Sequence, residues 1–395
     1  MIVEPKIRGF ICTTAHPDGC REHVRQMIAT VENQPGFDGP KRVLVIGAST
    51  GYGLASRIAL AFGAGAKTLG VMFEKEPSER RTATAGYYNT NAFESFAQAK
   101  GLYAKSLNGD AFSQEMKEQV LETIKADLGQ IDLLVYSLAS PRRTDKDGTT
   151  WSSVIKPYGQ TYTNKTLNLN TNEVESVTLE PANDDEIEAT IKVMGGEDWQ
   201  DWVHYLTENG ALASGAKTVA YSYIGPELTF AIYKDGSIGQ AKQDLYRTAA
   251  RLTEQYGQLS GLEAYVAINK AVVTQSSAAI PSVPLYISIL YKIMKEAGNH
   301  EGYGEQMYRL FADKMYGEAG AIVDDAGLIR VDDWEMEPAI QAKVDEIWAE
   351  VTTENVLEYT DLDAYWADFY ELFGFGIEGV DYDRDVDLLT DVGQA

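Results

Sequence analysis

Short, continuous apolar runs alternate with longer amphipathic stretches along most of this chain. Runs of this kind are typical of strands that are buried on both faces of a parallel sheet. Six runs have this character: Arg42–Ile46, Thr68–Phe73, Leu102–Leu107, Ile131–Leu138, Lys217–Tyr223 and Leu262–Ile268. Helical patterns lie between them, as at Leu54–Phe62, Gln114–Leu128 and Gln240–Tyr256. Strands that alternate with helices predict an α/β fold built on a doubly wound parallel sheet.

The pattern changes its period between Thr144 and Asn183. Polar and apolar residues alternate there, as in Val174–Leu179, and this alternation predicts a small antiparallel hairpin. We interpret the hairpin as an insertion, with a substrate-side segment, at about 144–183 of a single domain that covers residues 1–395. From Pro284 onward the pattern is helical and increasingly acidic, and we expect the acids of Val331–Glu337 to be solvated.

Composition and charge narrow the range of partners. Hydrophobic residues make up 44% of the chain, which is the balance of a globular protein. The 34 Lys and Arg residues are outnumbered by 59 Asp and Glu residues, so the formal net charge is −25. Nucleic acids and anionic membrane surfaces attract basic proteins, and we therefore expect neither as a partner.

The remaining compositional features favour the cytoplasm. Cys12 and Cys20 are too few for a disulfide framework, and the first residues show no apolar signal segment. The most apolar stretch, residues 278–294, is interrupted by two prolines and a lysine. The four histidines are scattered and accompany no ligand motif, so no metal site is predicted.

A glycine-rich turn directly follows the first predicted strand. In Gly47-Ala48-Ser49-Thr50-Gly51-Tyr52-Gly53, the first two glycines let the backbone approach a diphosphate, and the third lets the next helix pack against the sheet. The amino end of that helix offers free N–H groups to phosphate oxygens. The turn therefore predicts a dinucleotide site.

Glu74 ends the second predicted strand, where a dinucleotide fold places the acid that binds the adenosine ribose. A carboxylate at that point repels the 2′-phosphate of NADPH. The predicted cofactor is therefore NADH.

Tyr223, Tyr233 and Lys242 are the candidate catalytic residues. A phenol can stabilise an oxyanion by donating a hydrogen bond to it. A nearby lysine can lower the pKa of the phenol and can also hold the nicotinamide ribose. Tyr233 and Lys242 are nine positions apart and would point to opposite sides of one helix. Ser237 and Gln240 predict a capping box that starts a new helix, so that Tyr233 comes from the segment before it.

Two alternatives to a reductase of enoyl groups stay open on these residues. A non-catalytic sensor of NADH would need the glycine turn and Glu74 but neither Tyr233 nor Lys242. A ketone reductase usually places its tyrosine and lysine four positions apart on one helix face.

A basic turn, formed by Arg142, Arg143 and Lys146, is the best placed by sequence to attract an anionic thioester carrier.

Several motifs together resemble one known family. They are residues 47–56, Phe73-Glu74-Lys75, residues 108–113, 135–143, 194–199 and 238–242, together with Arg8–Pro17 and Leu372–Tyr382. These segments are similar to the FabV-type enoyl-acyl-carrier-protein reductases and to the related trans-2-enoyl-CoA reductases. The resemblance covers nearly the whole chain.

The resemblance implies an enlarged, Rossmann-like short-chain dehydrogenase/reductase fold, usually monomeric, that uses NADH. The implied reaction reduces the 2,3 double bond of an enoyl-acyl carrier protein in fatty acid synthesis, with a CoA thioester as the alternative substrate. Tyr233 matches the family's proton donor, Lys242 the lysine that holds the cofactor, and Tyr223 a tyrosine that contacts the substrate. The predicted cofactor contacts also include Gly47, Ala48, Ser49, Thr50, Gly51, Tyr52, Phe73, Glu74, Asp110, Ala111, Leu138, Ala139, Val272, Val273 and Thr274.

Overall fold

A seven-stranded parallel sheet forms the centre of the protein. A computed structural model describes residues 1–8 and 11–389, so Gly9 and Phe10 of the opening motif lie outside the described residues. The sheet has the order β13-β12-β11-β6-β3-β4-β5, and every neighbouring pair is parallel. The predicted doubly wound fold is therefore confirmed.

The strands and helices are numbered in chain order. The strands are β1 Ile7–Arg8, β2 Ile11–Cys12, β3 Arg42–Ile46, β4 Lys67–Met72, β5 Ala104–Asn108, β6 Ile131–Tyr136, β7 Arg142–Thr144, β8 Thr150–Ser152, β9 Tyr162–Asn168, β10 Glu173–Leu179, β11 Leu212–Ser222, β12 Glu263–Ile268 and β13 Leu328–Arg330. The α-helices are α1 Pro17–Glu32, α2 Gly51–Ile58, α3 Ala85–Ala99, α4 Gln114–Thr123, α5 Asp184–Met194, α6 Glu197–Glu208, α7 Ser237–Ser260, α8 Val283–Ala297, α9 Tyr303–Arg309, α10 Pro338–Glu350, α11 Val356–Tyr359 and α12 Leu362–Glu371. Helices α2, α4 and α9 continue as short π-helical turns.

Strand β3 shows why these segments are apolar throughout. Val43 and Val45 face one hydrophobic core, and Leu44 and Ile46 face the other. The first core lies under α1, α2, α3 and α8, and the second lies under α4, α6 and α7. A strand that is covered on both faces has no position left for a polar side chain.

The predicted hairpin is present as the antiparallel pair β9 and β10, within the predicted 144–183 insertion, and a second short pair, β7 and β8, precedes it. The Lys165 ammonium of β9 donates to the carbonyls of Trp348, Ala349 and Val351 at 2.7, 3.1 and 3.0 Å. The hairpin is thereby tied to the carboxyl end of α10.

The start of α7 differs from the sequence prediction in one respect. The helix begins at Ser237 as expected, but its N-cap is Gly236 and the predicted capping box is absent. The Ser237 hydroxyl is buried and donates instead to the Val154 carbonyl at 2.6 Å, while it accepts from Lys156 N at 3.2 Å. Docking of the helix end against residues 154–156 therefore takes the place of a local cap.

The acidic segment Val331–Glu337 is solvated only in part: Glu337 is exposed as predicted, but two other acids are not. It follows β13, a three-residue strand that the sequence pattern did not indicate, and Asp332 and Glu335 are fully buried. Asp332 accepts two hydrogen bonds from the Arg330 guanidinium at 2.7 and 2.6 Å. Within the described residues, no helix is both long enough and apolar enough to cross a membrane.

Candidate active site

The predicted site residues gather at the carboxyl edge of the sheet. The strand order reverses between β3 and β6, and in open parallel sheets ligands bind in the crevice outside such a point. Gly47 follows β3, and a Cβ added there would lie 2.4 Å from the Ser137 carbonyl oxygen, which follows β6. Leu138 and Ala139 come next in the chain, and the Leu138 Cα would lie 3.2 Å from the same added Cβ.

The glycine turn has the geometry of a diphosphate cradle. Gly47 and Gly51 have φ values of +79° and +52°, which favour glycine. A Cβ on Gly53 would lie 1.8 Å from the Gly47 carbonyl oxygen, so only glycine lets α2 start this close to the turn. Thr50, the N-cap, makes no side-chain cap bond, so the first N–H groups of α2 are available to phosphate oxygens.

Glu74 is held at the end of β4 by its neighbours. Its carboxylate accepts from the Ser49 hydroxyl at 2.5 Å, and its backbone exchanges two hydrogen bonds with the Asn108 amide at 2.8 and 3.0 Å. A Cβ on Gly86 would lie 2.1 Å from the Glu74 carboxylate, so a glycine at the start of α3 leaves room for the acid. This arrangement fits the hydroxyl pair of an adenosine ribose beside the turn.

The other predicted cofactor contacts differ in exposure. Phe73 is 79% exposed beside Glu74, where an adenine ring could cover it, and Asp110 is half-buried after β5. Ala111 is buried, and its carbonyl accepts from the Trp202 indole at 3.2 Å. The Tyr52 hydroxyl donates to the Lys270 carbonyl at 2.5 Å, so this side chain links α2 to the end of β12.

Val272, Val273 and Thr274 follow β12 at the same edge of the sheet. Val273 N donates to the Tyr291 hydroxyl at 3.1 Å, and its carbonyl accepts from the Tyr303 hydroxyl at 2.5 Å. Thr274 is fixed through two 2.8 Å bonds with Ser277. The backbone of this segment is therefore rigidly placed beside the crevice.

Tyr223, just beyond the end of β11, contacts one of the other two catalytic candidates and shares a cavity with the second. The Tyr223 and Tyr233 rings are in edge-to-face contact, with centroids 5.0 Å apart. The Lys242 ammonium donates to the Tyr221 carbonyl at 3.1 Å, and Lys242 and Tyr223 line one cavity of about 280 Å³. Lys242 stands in the second turn of α7, and Tyr233 in the segment before it, as the sequence predicted.

Burial controls the ionisation of these groups. It lowers the pKa of Lys242 to about 8. It raises the pKa of Tyr233, and the carboxylate of Glu335 raises it further. The phenol therefore stays protonated at neutral pH and is able to donate.

Glu335 is a site residue that the sequence analysis missed. Its carboxylate accepts from the Tyr223 and Tyr286 hydroxyls at 2.9 and 2.7 Å, and from Ala271 N at 2.7 Å. Burial raises the pKa of Glu335, whereas the Lys270 ammonium, the Tyr286 hydroxyl and the Ala271 N–H lower it. An acid just after a strand on the sheet's carboxyl edge was the available signal, but β13 was too short to be recognised.

The predicted basic turn is only partly available to a ligand. Arg143 is 9% exposed and lies 2.8 Å from Glu197 and 3.1 Å from Asp145, so its charge is neutralised internally. Lys146 lies 3.8 Å from Asp201, and Arg142 is exposed. Across the described ranges, no group of three or more His, Cys, Asp or Glu side chains is arranged to hold a metal ion.

Three family models match consecutive parts of the chain. Residues 2–79 match the NAD(P)H binding domain of trans-2-enoyl-CoA reductase, and residues 81–316 match the trans-2-enoyl-CoA reductase catalytic region. Residues 323–386 match a model described as an enoyl reductase FAD binding domain. The second match contains Tyr223, Tyr233 and Lys242.

The residues of the third match do not fit a flavin. Gly374, Gly376 and Gly379 have the spacing of a dinucleotide motif, but they follow α12 and no helix begins after them up to residue 389. A Cβ on Gly374 would lie 2.5 Å from Cys20 N, and one on Gly19 would lie 1.7 Å from the Gly374 carbonyl oxygen. Gly19 and Gly374 therefore let two backbone segments pack together, and Gly376 and Gly379 have no neighbour within 4 Å of an added Cβ.

The whole chain is similar to characterised reductases. It is 57% identical to an enoyl-[acyl-carrier-protein] reductase [NADH] of Saccharophagus degradans, with 98% of each chain covered, and 55% identical to one of Flavobacterium johnsoniae, with 99% of each covered. Solved trans-2-enoyl-CoA reductases from Clostridium acetobutulicum with NADH and Treponema denticola with NAD are 44% and 48% identical. Their TM-scores are 0.95 and 0.94, with 98% of both chains covered. By sequence, fold and the geometry of this site, the chain belongs to the family of trans-2-enoyl-CoA and enoyl-acyl-carrier-protein reductases.

Proposed function

We propose that this protein reduces the 2,3 double bond of an enoyl thioester with NADH, and that its substrate is an enoyl-acyl carrier protein of fatty acid synthesis. The observation that carries the proposal is the state of the Tyr233 hydroxyl. Among the described residues, no group hydrogen-bonds this hydroxyl, although it belongs to a half-buried phenol in contact with Tyr223. A free donor in such a place is available to a substrate oxygen.

NADH, when bound, supplies the hydride that reaches the β-carbon of the enoyl group. Negative charge then builds on the thioester oxygen, and Tyr233 donates a hydrogen bond to it, which stabilises the transition state more than the ground state. Lys242 places a positive charge beside the phenols and holds the ribose hydroxyls. A proton at the α-carbon completes the reduction.

The nucleotide is held by the remaining candidates of the crevice. The glycine turn binds the diphosphate, Glu74 binds the adenosine ribose, and Phe73, Asp110 and Ala111 border the adenine. Leu138, Ala139 and residues 272–274 flank the nicotinamide. Tyr223 contacts the acyl thioester at the mouth of the cavity that it shares with Lys242.

A carrier protein is supported over CoA by the degree of similarity. Relatives named for the carrier protein are 54–57% identical to this chain, whereas the solved CoA reductases are 44–48% identical. Reduction of CoA thioesters is the second candidate function. We further propose that the protein acts as a monomer in the cytoplasm, as its family resemblance implies. A single-domain fold is supported by the sheet, which joins strands from all three matched segments.

The test is a steady-state assay of NADH oxidation with crotonyl-CoA and with crotonyl-acyl carrier protein. We expect turnover with both substrates and a higher kcat/KM with the carrier protein. Tyr233→Phe should lower kcat by about a hundred- to a thousandfold and leave NADH affinity unchanged, because it removes only the oxyanion donor. Tyr103→Phe, whose hydroxyl bonds Asp127 at the opposite edge of the sheet, should leave kcat unchanged. A protein that binds NADH but reduces neither substrate would be a sensor.

A further inference from the structure

Glu335 lies behind the two catalytic phenols, fully buried in the segment after β13. The charged and titratable groups around it are Lys270, Asp332, Tyr52, Tyr223, Tyr233 and Tyr286. Of these, Tyr223 and Tyr286 hydrogen-bond one oxygen of its carboxylate, and the backbone N–H of Ala271 hydrogen-bonds the other. In both of these bonds the phenol hydroxyl donates and the Glu335 carboxyl oxygen accepts.

The hydroxyl proton of Tyr223 is therefore used in its hydrogen bond to Glu335. A phenol has one hydroxyl proton, and that of Tyr223 points to Glu335 at 2.9 Å. The Tyr233 hydroxyl has no such partner within the described part of the chain, and the two rings touch. The two phenols thus lie side by side, but the hydroxyl proton of Tyr223 is held in a hydrogen bond and that of Tyr233 is available to a substrate.

We propose that Glu335 is a positioning residue that selects the donor: by holding the proton of Tyr223, it leaves Tyr233 as the phenol that donates to the thioester oxygen. This inference rests on the proposed function and concerns the same site. Glu335 is fully buried, and it acts on the substrate through Tyr223.

The substitution Glu335→Gln reverses the direction of this hydrogen bond. The Ala271 N–H can only donate, so the glutamine must turn its carbonyl oxygen toward Ala271. Its NH2 group then faces the Tyr223 and Tyr286 oxygens and donates to them. Tyr223 accepts instead of donating, and its proton becomes free to reach the substrate.

The experiment measures the cost of Tyr233→Phe, defined as the factor by which it lowers kcat, in two backgrounds. The substrates are crotonyl-CoA and NADH. In the wild-type background we expect kcat to fall about a hundred- to a thousandfold. In the Glu335→Gln background the fall should be at least about tenfold smaller, because Tyr223 can replace the lost donor, a hydrogen bond to a charged oxygen. Adding Tyr223→Phe should abolish this recovery, and the KM for NADH should not change.

Asp332→Asn is the matched control. Asp332 is an equally buried acid of the same segment that pairs with Arg330 and not with a phenol. We expect this variant to lower the unfolding temperature and to leave the cost of Tyr233→Phe unchanged. A merely structural Glu335 would behave in the same way.

An equal cost of Tyr233→Phe in both backgrounds would overturn the inference while leaving the proposed function intact. Inactivity of the wild-type protein with both thioesters would overturn both. If Glu335→Gln does not fold, Glu335→Asp takes its place. That variant keeps the charge beside Lys270 but withdraws the carboxylate from Tyr223 by one methylene, and it must give the same reduced cost.

Discussion

Glu74 carries the choice between NADH and NADPH at the scale of a single residue. Its carboxylate accepts from the Ser49 hydroxyl and its backbone is held by the Asn108 amide, so the acid stays where a 2′-phosphate would lie. We expect kcat/KM to favour NADH by about tenfold or more, which corresponds to about 1.4 kcal/mol. Glu74→Gln should remove most of that preference.

Glu76→Gln is the control for Glu74, because Glu76 is an exposed acid two positions later in the chain. It should leave the preference unchanged. Equal efficiency of the wild-type protein with both nucleotides would contradict this role of Glu74.

Lys242 predicts a pH dependence. Burial lowers its pKa to about 8, so the ammonium loses its proton as the pH rises through that value. We expect kcat/KM to be constant below the pKa and to fall above it, since the charge that supports the oxyanion disappears. Lys242→Arg keeps its charge and should shift this decline to higher pH, and a pH profile of both proteins measures it. Burial also lowers the pKa of Lys270 to about 8. If kcat/KM of Lys242→Arg fell at the same pH as that of the wild-type protein, Lys270 would be the group whose ionisation causes the decline.

At the scale of the element, the connection from β3 to α2 requires a residue without a side chain at Gly53. Gly53→Ala would place a methyl group 1.8 Å from the Gly47 carbonyl oxygen, which is backbone and cannot move aside. We expect a loss of about 1–3 kcal/mol in the free energy of unfolding, with a higher KM for NADH. Urea unfolding and NADH titration measure the two effects.

Gly257→Ala, in α7, is the matched control for Gly53. A Cβ there would meet its nearest neighbour at 3.5 Å, an ordinary contact. This variant should gain about 0.5–1 kcal/mol because alanine loses less backbone entropy in a helix. If both alanine variants behaved alike, close packing of α2 on the turn would not explain the glycine.

At the scale of the whole molecule, the net charge of −25 opposes encounter with an anionic carrier protein or CoA. Arg142 is exposed close to the carboxyl end of β6, whereas Arg143 is buried between Glu197 and Asp145. We expect Arg142→Glu to raise the KM for the thioester by about two- to fivefold at low ionic strength, the value of one exposed ion pair.

Arg143→Met serves as the comparison for Arg142. It should lower the free energy of unfolding by about 1 kcal/mol or more, because it leaves acids without their partner, and it should change the thioester KM little. The opposite pattern, with Arg143 controlling KM, would show that its ion pairs open when the substrate arrives.

The sequence by itself determined the class of fold, the glycine turn and the catalytic candidates. Buried parallel strands need continuous apolar runs, and a phosphate-binding turn needs glycines at set positions, so both features are local and visible in the chain. The helix start at Ser237 was also predictable, although its cap was not, because the partners of Ser237 are residues 154–156.

Only the tertiary structure decided the roles of the charged side chains. Glu335 and Arg143 look like surface residues in sequence, and each is buried among partners that lie far away in the chain: Tyr223 and Tyr286 for the first, Glu197 for the second. The three residues of β13 show no period of their own, and they form a strand because β12 supplies their hydrogen bonds. Whether a charge meets water or a buried partner depends on contacts between distant segments, and those exist only once the chain has folded.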